Sequence, residues 1–257
     1  MKVLIKVKYD GTGFSGYQVQ RGRRTVQGEL CRAARELFGH DCNVTGCSRT
    51  DAGVHAECFC AAISDAGDAS SGLSSAIPPQ RIPEAMNAHL PADIAVFDAE
   101  YVDDDFHPRY SVKEKTYVYK IVNTRSRDPF YENRAWFIPG VVFGDDDIAR
   151  MNIAAGQFVG THDFSSFMAA GSKITDPVRT VTHASVAARG CLVELEISAD
   201  GFLYNMVRII AGTLSAVGRG KLDPYCISNI IDSHDRASAG VTAPPHGLYL
   251  QRVNYGR

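Results

Sequence analysis

The sequence predicts an α+β protein in which two ferredoxin-like, split β-α-β subdomains share a central antiparallel sheet. Three observations support this fold class. A strand pattern lies near the start of each half: apolar residues alternate with lysine at Lys2–Tyr9, and tyrosines alternate with a valine at Thr116–Asn123. A long helical pattern follows each of these strands. Paired strands, a second helix and a closing strand then complete each half. Because one order occurs twice, we expect subdomains at residues 1–105 and 106–257 with a cleft between them.

The first half begins with a strand at Lys2–Tyr9, where valine and isoleucine alternate with lysine and indicate one buried face. An amphipathic helix is predicted at Thr25–Phe38, with Thr25 as N-cap and Gly39 as C-cap. Strands at 57–63 and 94–101 and a short helix at 82–90 complete a β-α-β-α-β order. The stretch 64–75 is rich in small and polar residues, which is typical of a surface excursion.

The second half repeats this arrangement with a more apolar second helix. Its predicted elements are a strand at 116–123, a helix at 145–158, a hairpin of 181–187 with 191–197, an apolar helix at 201–214, a short helix at 223–231, and a closing strand within PPHGLYLQRVNY. The helix at 145–158 opens with three aspartates, which suit the positive end of the helix dipole.

Composition sets the class of protein. The 257 residues are 45% hydrophobic, enough to bury a sizeable core, and no run of about 18 apolar residues predicts a membrane span. The N-terminal run MKVLIKVKYDG lacks a signal-peptide core, so we expect a soluble cytoplasmic protein. Seven cysteines without a CxxC pair indicate reduced thiols and no zinc ribbon. The net charge of −2 means that any RNA binding must depend on local basic patches.

A glycine-rich loop follows the first strand and spells GTGFSG, which formally matches the GxGxxG dinucleotide fingerprint. The fingerprint requires the loop to open a helix, yet the next eight residues are polar and basic. We therefore disfavour dinucleotide binding. Arg21, Arg23 and Arg24 form a basic cluster here, and Phe14 and Tyr17 could stack on bases. The alternative is a solvated turn.

The run GCSRTDAGVHA presents Asp51 among short polar residues that favour a loop. A strand follows directly, so the loop is anchored to a sheet. A carboxylate held in this way can act as a nucleophile or a general base. The structural alternative is an Asx-type turn closed by a salt bridge between Arg49 and Asp51.

Two further residues are candidate site residues. Arg208 is the one charge within the apolar run GFLYNMVRIIAGTL, so it must find a carboxylate or carbonyl groups. Asp51 would be a suitable partner; another acid, or a side chain that reaches solvent, are the alternatives. Tyr117 lies on an aromatic face of its strand, where it could line a nucleotide pocket or simply pack in the sheet.

Taken together, GCSRTDAGVHA, YDGTGFSGYQ, FHPRYSVKEKTYVY, HDFSSF, GFLYNMVR and PPHGLYL resemble the motifs of the TruA-type tRNA pseudouridine synthases, the tRNA pseudouridine(38-40) synthase family. The resemblance implies the pseudouridine-synthase fold, with Asp51 as the catalytic nucleophile. It further implies that Arg49 displaces or holds the target nucleotide and that Tyr117 contacts the base. Arg208 would keep Asp51 ionised, and Leu248 would pack near the base.

The resemblance also implies the reaction and its setting. The expected activity is isomerisation of uridine to pseudouridine at positions 38, 39 and 40 of the tRNA anticodon stem-loop, by a homodimer. The reaction needs no cofactor, and we expect no metal. Two other functions compete with it. His55, Glu57, Cys58 and Cys60 offer half of the zinc nucleobase deaminase signature, although no PCxxC follows. An RNA-binding module without chemistry would make Asp51 dispensable.

Overall fold

The computed structural model describes residues 1–67, 73, 77–171 and 174–256. The chain divides into two compact units: Met1–Lys113 together with Leu250–Arg257, and Glu114–Tyr249. We call them unit 1 and unit 2. The predicted subdomains at 1–105 and 106–257 stay a prediction.

Unit 1 is a split β-α-β arrangement. Its elements are β1 (Lys2–Tyr9), α1 (Val26–Phe38), β2 (Cys42–Gly46), β3 (His55–Asp65), α2 (Ile82–Asn87) and β4 (Ile94–Val102). The strands lie in the order β4-β1-β3-β2, and each neighbouring pair is antiparallel. A hairpin is thus inserted between the two β-α-β crossovers, as in a ferredoxin-like fold.

Unit 1 agrees closely with the expected elements. Strand β1 has the predicted bounds, and its Val3, Ile5 and Val7 are fully buried. The Thr25 hydroxyl accepts a hydrogen bond from the Gly28 N–H at 3.3 Å, and Gly39 ends the helix at φ 76°, so both predicted caps are confirmed. Strand β2 was not predicted, because its five residues are too few to show a clear alternation. Of the predicted excursion at 64–75, residues 68–72 and 74–75 lie outside the described residues.

Unit 1 also includes the C-terminal end of the chain. The last strand, β10, spans Leu248–Asn254, and from Leu250 onward it belongs to this unit. The Lys113 N–H donates to the Asn254 carbonyl at 2.9 Å, and the Tyr255 hydroxyl donates to the Pro108 carbonyl at 2.9 Å. The first 113 residues are therefore completed by the last eight.

Unit 2 contains β5 (Glu114–Val122), β6 (Trp136–Phe137), α3 (Asp145–Gly156), β7 (Gly160–Asp163), β8 (Val178–Arg189), β9 (Leu192–Ala199), α4 (Met206–Gly218) and α5 (Ile227–Ser233). Its strands follow the order β5-β9-β8-β7 with antiparallel pairs, and β6 pairs with β5 in parallel. The hairpin turns at Gly190, where φ is 59°. Both units are α+β with mostly antiparallel strands, so the predicted fold class is confirmed.

The N-terminal ends of two helices in unit 2 differ from the prediction by four or five residues. The apolar helix begins at Met206 instead of Gly201, because Asn205 adopts a left-handed φ of 61° that a helix cannot continue through. The next helix begins at Ile227, because the Asp223 carboxylate instead closes a turn by accepting from the Tyr225 N–H at 2.7 Å. Hydrophobic periodicity alone extended both helices too far toward the N-terminus.

Candidate active site

Asp51 lies in a short loop between β2 and β3 of unit 1, and its side chain is half-buried. The Val54 N–H donates to the Asp51 carbonyl at 3.2 Å, and Gly53 supplies the positive φ of 79° that the turn needs. At the other end of the loop, the Cys47 N–H donates to the Cys60 carbonyl at 2.8 Å. The expected sheet-anchored loop is therefore present.

The glycines of GTGFSG pack against this loop. A Cβ at Gly11 would lie 2.1 Å from the Val54 carbonyl oxygen, and one at Gly16 would lie 2.8 Å from the Thr50 oxygen. The Tyr17 N–H donates to that Thr50 oxygen at 3.0 Å. These two glycines permit a close backbone approach to the Asp51 loop, and the helix begins only at Val26. The geometry therefore agrees with our rejection of a dinucleotide site.

Two side chains hold the ends of the Asp51 loop. The Tyr9 hydroxyl is 2.8 Å from the Thr50 hydroxyl. The buried imidazole of His55 accepts a hydrogen bond at Nδ1 from the Gly11 N–H at 3.0 Å, and Nδ1 is 3.3 Å from an Asp10 carboxylate oxygen. Sequence reasoning missed this positioning role of His55, although the histidine stands in the same motif as Asp51.

The residues behind the zinc hypothesis are arranged differently from a metal site. In the described part of the chain, no group of three or more His, Cys, Asp or Glu side chains could hold a metal ion. The Cys58 and Cys60 thiols instead hydrogen-bond to each other, which lowers the pKa of Cys58 and raises that of Cys60. The nearby Lys6 ammonium adds to the lowering at Cys58.

Arg49 is exposed and makes no hydrogen bond or ion pair with any residue that the structure describes. The alternative interpretation, a turn closed by an Arg49–Asp51 salt bridge, is therefore wrong. The guanidinium stays available to a ligand because no carboxylate among the described residues holds it.

The basic cluster after the glycine loop contains fewer available charges than expected. Arg24 makes two hydrogen bonds to Asp93, at 2.7 and 2.8 Å, and its guanidinium lies 4.2 Å from the centre of the Phe14 ring. Arg21 and Arg23 are exposed, without such partners among the described residues. Two of the three arginines are thus available to RNA.

The aromatic residues predicted to stack on bases beside this cluster are buried. Phe14 is 4% exposed and Tyr17 is 2% exposed. The Tyr17 ring stacks on Phe59 with centroids 4.5 Å apart and fills the space where Gly46 lacks a side chain. Its hydroxyl is buried without a hydrogen-bond partner among the described residues, and burial raises its pKa. The prediction that these two rings bind bases is wrong.

In unit 2, Tyr117 lies on β5 and is 6% exposed. Its ring meets Phe202 edge-to-face, with centroids 5.0 Å apart. This contact is ordinary aromatic packing, which was the alternative to a nucleotide pocket.

Arg208 lies in the first turn of α4 and is half-buried. Its Nε donates to the Ala243 carbonyl at 2.8 Å, and its Nη1 donates to the Asn205 amide oxygen at 2.7 Å. The Ala243 N–H in turn donates to the Arg208 carbonyl at 3.0 Å. The expectation that this arginine must find carbonyl or carboxylate groups is met in part by these oxygens, which fix the guanidinium within unit 2.

The turn before Leu248 is held by Tyr119, which lies on β5 two residues after Tyr117. The Tyr119 hydroxyl donates to the Pro244 carbonyl at 2.8 Å, and a Cβ at Gly247 would lie 2.6 Å from the Tyr119 ring. Leu248 follows this turn and is 7% exposed. Within the turn, burial lowers the pKa of His246; Glu132 opposes this shift, and Arg208 adds to it.

The sequence profile of a family described as tRNA pseudouridine synthase matches residues 5–111 and 154–256. The chain belongs to this family. Asp51, Arg49, Arg208 and Leu248 all lie within the matched segments, and Tyr117 lies in the stretch between them.

Several curated relatives align with this tRNA pseudouridine synthase family member over nearly its whole length. Two of them are named tRNA pseudouridine synthase A. The protein of Thermoanaerobacter sp. (strain X514) is 43% identical over 98% of this chain and 99% of its own. That of Ruminiclostridium cellulolyticum is 41% identical over 99% of each chain. A solved structure, "Crystal Structure of a Cbf5-Nop10-Gar1 Complex", has 10% identity and a TM-score of 0.34, covering 97% of this chain and 58% of that one. This likeness is too weak to support an argument.

In the described residues no helix is long and apolar enough to cross a membrane.

Proposed function

We propose that this protein isomerises uridine to pseudouridine at positions 38, 39 and 40 of the tRNA anticodon stem-loop, with Asp51 as the nucleophile. The observation that carries the proposal is family membership with full-length relatives named tRNA pseudouridine synthase A. The loop geometry adds support, because the Asp51 backbone is fixed by hydrogen bonds and by two glycine contacts while its side chain is not fully buried.

The reaction is an isomerisation, so no atom is added overall. The bond between C1′ of the ribose and N1 of uracil breaks, the base turns over, and C1′ bonds to C5. The proton on C5 is lost and N1 gains a proton, so atoms and electrons balance without a redox cofactor. An ionised carboxylate can attack the base or the sugar, or assist deprotonation of the sugar, and each route begins from the same charged group.

The other site residues act on the substrate in this proposal. The exposed guanidinium of Arg49, which has no partner among the residues that the structure describes, holds or displaces the target nucleotide. Tyr117, Arg208 and Leu248 are substrate-binding residues. Two observations support these roles. The hydrogen bonds from Arg208 to Ala243 and Asn205 fix its guanidinium, and the hydrogen bond from Tyr119 to Pro244 fixes the turn before Leu248. We further propose a cytoplasmic homodimer that uses neither cofactor nor metal.

The deciding experiment replaces Asp51 and measures tritium release from tRNA that carries uridine labelled at C5. We expect Asp51→Ala and Asp51→Asn to lower kcat by about a thousandfold, because neither replacement side chain can act as a nucleophile or a general base. The affinity for tRNA, measured by filter binding, should change little. The matched control is Asp41→Asn, which removes an exposed carboxylate whose ion pair with Arg35 is also exposed.

The outcome also separates the competing functions. Retained tritium release by Asp51→Ala would contradict the nucleophile assignment. Absence of release from the wild-type protein, together with normal tRNA binding, would favour a binding module without chemistry.

A further inference from the structure

The turn His107–Ser111 of unit 1 presents an aromatic ring to solvent. The Tyr110 side chain is 78% exposed, which is unusual for so large a ring. One face of the ring stacks on the His107 imidazole, with centroids 4.2 Å apart and an interplanar angle of 29°. The exposure leaves the opposite face of the ring accessible.

The imidazole beneath Tyr110 is fixed by the backbone of the same turn. His107 Nδ1 accepts hydrogen bonds from the Arg109 N–H at 3.1 Å and the Tyr110 N–H at 3.3 Å, and the Ser111 N–H donates to the His107 carbonyl at 2.9 Å. Burial, Arg109 and Lys2 lower the pKa of His107, which favours the neutral ring that can accept these hydrogen bonds at Nδ1. The two-ring stack is thus pre-organised.

The turn is also tied to the rest of unit 1. The Pro108 carbonyl accepts from the Tyr255 hydroxyl at 2.9 Å, and the Phe106 carbonyl accepts from the Lys2 ammonium at 3.0 Å. Phe106 and Tyr255 pack edge-to-face with centroids 5.1 Å apart. The segment that leads into Tyr110 is therefore held by partly buried contacts at Phe106 and Pro108.

Two cations lie close to Tyr110 in the chain, and one of them, Arg109, is near enough to His107 to lower the pKa of that imidazole. The Arg109 guanidinium and the Lys113 ammonium make no hydrogen bond or ion pair with any described residue. An open aromatic face beside unpaired cations has the chemistry that recognises single-stranded nucleic acid, since bases stack on the ring and phosphates pair with the cations.

We propose that Tyr110 is a stacking platform for one unpaired base of the substrate RNA, and that Arg109 pairs with a phosphate next to that base. This inference rests on the proposed function, because it takes RNA as the substrate. It assigns base stacking to a ring outside the glycine loop, where Phe14 and Tyr17 are buried.

Two other exposed aromatic residues provide matched controls. Phe130 is 83% exposed and Tyr225 is 67% exposed, yet neither ring packs on another ring within the described part of the chain. If exposure alone explained an effect on RNA binding, their removal would match the removal of Tyr110.

The experiment measures the affinity for a tRNA transcript by fluorescence anisotropy at fixed salt, using full-length protein. We expect Tyr110→Ala to weaken binding by about 5- to 150-fold, the loss expected for one base–aromatic stack, and Tyr110→Trp to restore it. Phe130→Ala and Tyr225→Ala should remain within about twofold of wild type. Arg109→Gln should reduce the slope of log Kd against log salt by about one unit.

Three results would overturn the platform. The first is a Tyr110→Ala variant that binds tRNA as tightly as wild type, and the second is an equal loss in the Phe130→Ala control. The third is a Tyr110→Ala variant whose oligomeric state changes in sedimentation, which would make the ring a contact between copies of the chain. None of these results contradicts the proposed function. That proposal is contradicted instead if Asp51→Ala retains tritium release.

Discussion

Replacement of Gly16 tests whether the glycine loop positions the Asp51 loop. Gly16 has a φ of +91°, and an added Cβ would lie 2.8 Å from the Thr50 oxygen and 3.3 Å from the Ala52 nitrogen. Gly22, six residues later, has a φ of +70°, and its added Cβ would meet nothing within 4 Å. The pair Gly16→Ala and Gly22→Ala therefore separates backbone strain from contact with the Asp51 loop.

The expected magnitudes follow from these contacts. Both variants place alanine at a left-handed φ, which costs about 1–2 kcal/mol. Gly16→Ala also overlaps a backbone atom that cannot rotate away, which adds about 1–3 kcal/mol of overpacking. Relief of the overlap requires the segment at 50–52 to move by several tenths of an ångström. Since a misplacement of about 1 Å can cost a hundredfold in rate, we expect kcat to fall about tenfold.

The assay combines urea unfolding with tritium release from C5-labelled tRNA. In Gly22→Ala the free energy of unfolding should fall only by the cost of alanine at a left-handed φ, and kcat should be unchanged. In Gly16→Ala both the free energy of unfolding and kcat should fall further. Equal losses of stability and equal rates in the two variants would refute the proposed packing of the glycine loop on the Asp51 loop.

Three further predictions concern buried or coupled groups. Tyr17→Phe should raise the free energy of unfolding by about 1 kcal/mol, because it removes a buried hydroxyl without a described partner; a destabilised variant would contradict this. Cys58 should react with iodoacetamide at a lower pH than an ordinary thiol, because the Cys60 hydrogen bond favours its thiolate. Cys60→Ala should shift that midpoint upward, and an unchanged midpoint would argue against the coupling. Gly247→Ala should destabilise the protein by contact with the Tyr119 ring, and Tyr119→Leu in the same chain should recover part of the loss; additive effects in urea unfolding would exclude this contact.

The strongly patterned elements were predictable from the sequence. Strand β1 alternates without interruption, and α1 carries both an N-cap hydroxyl and a C-terminal glycine, so its bounds follow from local chemistry. The loop that carries Asp51 was predictable for a similar reason, since short polar residues around a glycine favour a turn over regular structure.

The contacts between distant parts of the chain were not predictable in this way. The two glycines against the Asp51 loop belong to a formal dinucleotide fingerprint that the sequence already disfavoured, but only the backbone distances show what they pack against. Arg24, one of three adjacent arginines, proved to be committed to Asp93, 69 residues away. Local pattern also gave no sign that Asn205 would adopt a positive φ and delay the start of α4. Each of these features depends on packing partners that are remote in sequence.

The composition of unit 1 has a consequence for biosynthesis. Because this unit combines residues 1–113 with residues 250–257, its final strand is absent until the ribosome has translated the 136 residues between them. A nascent chain stalled within those 136 residues would leave the edge of β3 that pairs with β10 without its partner. Translation through β10 is therefore a condition for completing unit 1, most of which is made before unit 2.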